Sequence, residues 1–149
     1  MVKNVIKCVG IVLVRSDGSV LAQLRDHKPY IQNPNTWAVV SGGMKPKLDK
    51  DLVEVGMREL FEETGYTVKR EDLCLLNRDS YTADTGAEIE RTILWARYDG
   101  VQEIKTNEGQ EIRFIIPEEF IELTFAEGHR SFLQKASEKA FYSGLERKS

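Results

Sequence analysis

One segment limits the fold more than any other: residues 51–65, where apolar positions recur at helical spacing and a glycine closes the run. Val53, Met57, Leu60, Phe61 and Thr64 fall at i, i+4, i+7, i+8 and i+11, which predicts a helix whose stripe faces a core. Asp49 or Asp51 can cap its start, and Gly65 supplies the left-handed residue that commonly ends a helix. The flanks carry a different period. Residues 9–14 are dense in β-branched side chains, Ser16-Asp17-Gly18-Ser19 is turn chemistry, and residues 20–24 resume an extended pattern, so a hairpin is expected. A loop rich in Pro and Asn leads to a short strand over 37–40, which runs into Ser41-Gly42-Gly43.

Downstream, Thr67-Val68, residues 73–76, 89–98 and 111–116 read as strands, and residues 129–142 as a second helix with Phe132, Leu133, Ala136 and Ala140 on one side. Strands interleaved with two helices predict an α/β sandwich, a mixed sheet covered by helices on both faces. With 149 residues, 41% of them hydrophobic, a single domain over 1–149 is expected. The charge balance, 21 basic against 24 acidic side chains for a net −3, argues against a nucleic-acid duplex as partner. Cys8 and Cys74 form neither a disulfide framework nor a CxxC pair, which suggests a reducing, cytoplasmic setting. The apolar run at 11–14 is too short for a signal peptide, and no membrane partner is expected.

Chemistry concentrates in Arg58-Glu59-Leu60-Phe61-Glu62-Glu63-Thr64-Gly65-Tyr66. Glu59, Glu62 and Glu63 stand at i, i+3 and i+4, sharing an arc of about 100° roughly opposite the apolar stripe. Like charges at this spacing cost only a few tenths of a kcal/mol in water, so the acids alone fit a solvated face equally well. The Gly42-Gly43 pair just upstream changes the balance, because glycine lets the backbone approach a ligand or ion closely. Gly56, one turn before Glu59, either clears that approach or allows tight helix packing.

Gly43 followed by this segment resembles the box of the Nudix (MutT-like) hydrolases, which reads G, five residues, E, seven residues, R-E-U-x-E-E-x-G-U, with U bulky and apolar. The second half matches at every specified position. Gln23-Leu24-Arg25-Asp26, the Pro/Asn loop, Trp37 and the glycine pair are also similar to the segment that precedes the box in this family. The first half departs from it. Counting back from Arg58 puts Lys50 at the glutamate position, counting forward from Gly43 reaches Asp49, and the loop is one residue too long. Asp49 and Asp51 are the two stand-ins, and Ser41 replaces a frequent proline.

The resemblance implies a Nudix-type α/β/α sandwich and a Mg²⁺-dependent pyrophosphohydrolase, with Mn²⁺ as a possible substitute. Its substrate would be a nucleoside diphosphate linked to another group: a nucleoside triphosphate, a nucleotide sugar or a dinucleoside polyphosphate. Water would attack phosphorus. Mg²⁺ prefers a few carboxylates plus phosphate oxygens, which suits the cluster. The resemblance assigns Glu59 and Glu63 as principal metal ligands, Glu62 as ligand or base, the Gly43 carbonyl as a further ligand, and Arg58 as the group that orients Glu62. A later-loop acid is expected to assist catalysis, with Glu111 ahead of Glu108. For the substrate, Tyr30 is the candidate stacking residue, Trp37 is a base platform or a core residue, and Lys45 is a phosphate contact. His27 and His129 receive no role. Tyr81 stands where the family's ADP-ribose hydrolases carry a proline. Two expectations complete the reading: a homodimer is possible, and the altered loop allows an alternative, a Nudix-fold module that binds a nucleotide with little or no cleavage.

Overall fold

The structure, a computed structural model, describes the backbone over residues 5–28 and 34–148 and side chains as far as residue 141. Tyr30 lies outside the described residues. Strand β1 (Val5–Val14) is the centre of the sheet. It runs antiparallel to β2 (Val20–Leu24) through the expected turn, where Gly18 takes φ 87°, and parallel to β6 (Glu88–Arg97) over ten residue pairs. Both faces of β1 are covered, so apolar residues occupy almost every position. Val9, Ile11 and Leu13 enter one core, and Val12 and Val14 enter the other.

The expected strand over 37–40 is two strands. β3 (Trp37–Ala38) pairs with β2, and β4 (Val40–Gly43) pairs with β1. At the crossing, the Val39 N–H leaves the ladder and donates to His129 Nδ1 at 2.9 Å. A backbone donor at a strand break must find another acceptor, and this is the histidine's role. On the far side β5 (Cys74–Thr82) pairs antiparallel with β6, with a register shift between Leu75 and Asn77. β7 (Glu111–Ile115) pairs with β2 and stops before Pro117, as expected. Thr67-Val68 forms no strand, and a short 3-10 turn (Arg70–Asp72) precedes β5.

Helix α1 (Leu52–Thr64) lies against β1 and β4, and α2 (His129–Lys148) covers the opposite face with Phe132, Leu133, Ala136 and Ala140. The result is the expected α/β sandwich around a mixed sheet. Asp51 caps α1, accepting from the Glu54 N–H at 2.9 Å, and Gly65 closes it at φ 78°. The buried face differs from the expected stripe. Val55, Gly56, Leu60, Glu63 and Thr64 face the sheet, whereas Phe61 is 55% exposed. Gly56 sets this rotation: a Cβ there would lie 3.0 Å from Val9 Cγ1 and 3.1 Å from Ile11 Cδ1, so the helix rests directly on β1. Tight packing explains this glycine. Of the three acids, Glu63 therefore lies on the buried face, Glu59 is half-buried and Glu62 stays exposed.

Candidate active site

Three stretches of chain meet at the C-terminal half of α1: the glycine pair ending β4, the loop 44–51, and the loop 98–110. Glu59 crosses directly above Gly42. A Cβ at Gly42 would stand 2.1 Å from the Glu59 carboxyl carbon, so any larger residue would displace that carboxylate. A Cβ at Gly43 would meet nothing nearer than the Lys7 carbonyl at 4.0 Å.

Arg58 ties the first two stretches together. Its Nε and Nη2 donate to the two oxygens of Asp49 at 2.9 and 2.8 Å, and Nη2 also donates to the Gly43 carbonyl at 3.1 Å. Nη1 donates to Glu59 Oε1 at 2.9 Å and reaches Glu62 at 3.3 Å. The orientation of Glu62 expected of Arg58 is its weakest bond, and the fork with Asp49 is its strongest. Asp49 is 4% exposed, accepts a further bond from the Lys45 N–H, and has its carboxyl held below the ordinary carboxylate range by Arg58. Asp49 thus pairs with the box arginine and Asp51 caps the helix, so the two stand-ins divide the work. The extra residue is absorbed in a turn in which the Leu48 and Asp49 N–H groups both donate to the Lys45 carbonyl.

Glu63 has a different environment. It is 5% exposed, and among the described residues its Oε2 is the buried side-chain oxygen without a partner. Burial, followed by the carboxylates of Glu108, Glu59 and Glu62, pushes its pKa up to about 8. Burial likewise raises Glu59, against the pull of Arg58. Among the described residues no three His, Cys, Asp or Glu side chains already converge on one point. Even so, an orphaned buried oxygen beside three further carboxylates fits a divalent cation, because such a cation is what would satisfy that oxygen and the crowded charge together. Glu59, Glu62, Glu63 and the Gly43 carbonyl are the groups that could hold it.

The later acid that acts on the cluster is Glu108, whose carboxylate helps push the pKa of Glu63 up. Glu111 pairs instead with Arg113 at 3.3 Å on the sheet edge. Lys45 is exposed and close enough to Glu59 for its charge to lower that carboxyl. Trp37 is 6% exposed within the α2-side core, and the Arg113 guanidinium lies 4.9 Å from its ring centre, so it is a core residue and offers no base platform.

Residue roles missed in the sequence appear on the other face of the sheet. A cavity of about 120 Å³ is lined by Cys8, Arg25, Ser41, Tyr81, Arg91 and His129. Arg91 is fixed there by Asp79 at 2.7 and 3.0 Å and sandwiched between the rings of Tyr81 and Phe132. His129 accepts from Val39, so its proton sits on Nε2, and burial lowers its pKa to about 4. Ser41 faces this cavity and the next residue, Gly42, lies under Glu59, so a single strand separates cavity from carboxylates.

Such a box, a helix seated on a mixed sheet with Glu59 lying over a glycine bend, is that of the Nudix hydrolases. The chain belongs to this family: the NUDIX domain model matches residues 6–136. It is 31% identical over 97 residues to an RNA pyrophosphohydrolase of Cereibacter sphaeroides, a match that covers 62% of this chain and 54% of that protein. The chain thus spans about half the length of the curated relatives it matches. The fold is similar to a MutT protein from Methanosarcina mazei Go1, at TM-score 0.71 and 20% identity over 97% of this chain and 98% of the other. It is also similar to the NUDIX domain of Shewanella oneidensis NrtR complexed with ADP ribose, at TM-score 0.75 and 16% identity over 93% and 89%. Among the described residues no helix is long and apolar enough to cross a membrane.

Proposed function

We propose that this chain is a Mg²⁺-dependent pyrophosphohydrolase that cleaves a nucleoside diphosphate linked to another group, with Mn²⁺ as a working substitute. The observation that carries the proposal is the Glu63 carboxylate, buried with an unpartnered oxygen among Glu59, Glu62 and Glu108. A purely structural acid would be given a cation or donors by its own chain, as Asp49 is. The ion, when bound, supplies neutralisation of the diphosphate and a water of lowered pKa.

The chain's own residues do the remainder. Glu59 and Glu63 would hold the ion from the helix, and the Gly43 carbonyl would hold it from the bend. Glu62 is exposed and only loosely bound by Arg58, which suits it to take the proton of the attacking water. The water oxygen bonds to phosphorus, the bridging P–O bond breaks, and the leaving phosphate carries away the electron pair. Lys45, exposed and acting by its charge on Glu59, would meet a substrate phosphate. The cavity across β4, with Arg25, Arg91, Ser41 and the Nε2–H of His129, suits a group rich in acceptors at the other end of the substrate.

The binding-only alternative drew its support from the lengthened loop. Asp49's fork on Arg58 favours catalysis, because the arginine is anchored despite the extra residue. The test is a hydrolysis panel of nucleoside triphosphates, nucleotide sugars and dinucleoside polyphosphates with Mg²⁺ or Mn²⁺. Turnover is expected, with a loss of about 100-fold or more in Glu63→Gln, since several kcal/mol of charge stabilisation depend on the ion it holds. Nucleotide binding without cleavage of any compound would establish the alternative.

A further inference from the structure

Strand β2 is apolar and fully buried over Val20, Leu21 and Ala22, yet the next residue, also buried at 7% exposure, is Gln23. A buried amide is costly unless it is bonded, so its partner explains its presence. That partner is distant in sequence: Gln23 Nε2 donates to the main-chain carbonyl of Glu108 at 3.0 Å.

The surrounding bonds show what this contact anchors. Immediately before Glu108, the Asn107 N–H donates to the Glu63 carbonyl at 2.9 Å and its Nδ2 donates to the Glu62 carbonyl at 3.1 Å. The loop thereby satisfies the exposed carbonyls at the end of α1. Immediately after Glu108, Gly109 turns at φ 81°, pressed so closely on β2 that a Cβ would lie 2.8 Å from the Leu24 carbonyl and 2.9 Å from Gln23 Nε2. The Gln110 N–H then donates to the Leu24 carbonyl at 2.9 Å. Glu108 is thus the single residue at which the loop passes from helix to sheet, held on both sides.

We propose that Gln23 is a positioning residue: through the Glu108 carbonyl it sets the Glu108 carboxylate against Glu63, adding a fourth acid to the cation cluster. This rests on the reading that the cluster holds a divalent cation. Gln23 touches neither ion nor substrate. It fixes where the loop crosses, and the left-handed turn at Gly109 allows the close approach.

The experiment is a double-mutant cycle read by Mn²⁺ affinity in calorimetry, alongside kcat and KM for the best substrate of the panel. Gln23→Met keeps the volume and removes the donor. It should weaken Mn²⁺ about three- to tenfold and lower kcat with KM unchanged, and Glu108→Gln should do the same to a similar or larger extent. The double variant should be no worse than Glu108→Gln alone, since two groups acting through one contact are non-additive. Gly109→Ala disturbs the same crossing from the other side and should show the same pattern, so the test stands even where Gln23→Met folds poorly. Additive losses, or a Gln23→Met protein with wild-type Mn²⁺ affinity and kcat, would overturn the proposal. Wild-type Mn²⁺ affinity in Glu108→Gln alongside a loss in Glu63→Gln would sink the clamp and leave the cation cluster standing. Wild-type affinity in both would remove the cluster itself.

Discussion

The loop that enters α1 and the loop that covers its far end each bury a carboxylate, and the two acids receive opposite treatment. Asp49 is given a bidentate arginine and a backbone donor, and its carboxyl is held ionised. Glu63 has as neighbours three more acids and an oxygen with no partner, and its pKa is pushed up to about 8. Burial alone therefore does not mark a functional acid. What separates them is whether the chain completes the charge itself, and only the incomplete one has a reason to recruit a cation.

The sharpest way to break this contrast is to empty the completed site. Asp49→Ala leaves Arg58, a largely buried guanidinium, without its main partner. Arg58 keeps Glu59 and the Gly43 carbonyl, so the loss is that of charge-assisted hydrogen bonds, about 2–3 kcal/mol, and urea unfolding should show it. A loss under about 1 kcal/mol would mean the fork is ornamental and the contrast false.

Next in size is the pH response, where the two acids have opposite signs. Glu63 has a folded pKa above its ordinary 4.5, so the folded state keeps a proton that the unfolded chain releases. In cation-free protein its contribution falls as pH rises from about 4.5 to about 8. Asp49 is depressed below 3.8, so its contribution is complete above that value and is lost as pH falls through the depressed one. His129, whose pKa burial lowers to about 4, gives an opposite rise up to its ordinary 6.5, so Glu63 is read by difference: in thermal melting with a chelator, the stability of wild type minus that of Glu63→Gln should decline between pH 5 and 8 by on the order of 2 kcal/mol. A flat difference would show that Glu63 is already satisfied.

Much of this was legible in the sequence, and the failures share a cause. The helix, its Gly65 stop, the hairpin and the acid spacing are local, and each is encoded within a few residues. The inward turn of Glu63 and the exposure of Phe61 depend on Gly56 meeting Val9 and Ile11, a contact between strand and helix that a periodicity count does not see. A rule that places apolar residues inside misassigns a helix built to bury an acid. Asp49 is one of two candidates because loop length does not say which carboxylate meets Arg58, nine residues further on. Tyr81 and Arg91 could not be joined in sequence, since the β5–β6 pairing brings them together.

A smaller effect tests the glycine pair. Gly42→Ala places a methyl on the Glu59 carboxyl, and because that group ends a flexible side chain the fold should survive while the carboxylate moves. Melting temperature should change little and Mn²⁺ affinity should fall about tenfold, whereas an unfolded Gly42→Ala protein would make the glycine a packing requirement.

The least effect is expected at Glu111, and its smallness is informative. The sequence ranks Glu111 above Glu108 because it begins a strand, where a side chain is held firmly. In the folded chain, the Glu111 carboxylate is about half exposed and paired with Arg113, whose guanidinium also binds Glu119 at 2.7 Å. An exposed pair of this kind contributes under about 1 kcal/mol, and Arg113 keeps its second partner when Glu111 is neutralised. Glu111→Gln should leave kcat and Mn²⁺ affinity within about twofold of wild type, while Glu108→Gln weakens both. The reverse ranking would mean that the loop 98–110 rearranges when the cation binds, and that the acid completing the Glu63 site comes from the strand and not from the crossing before it.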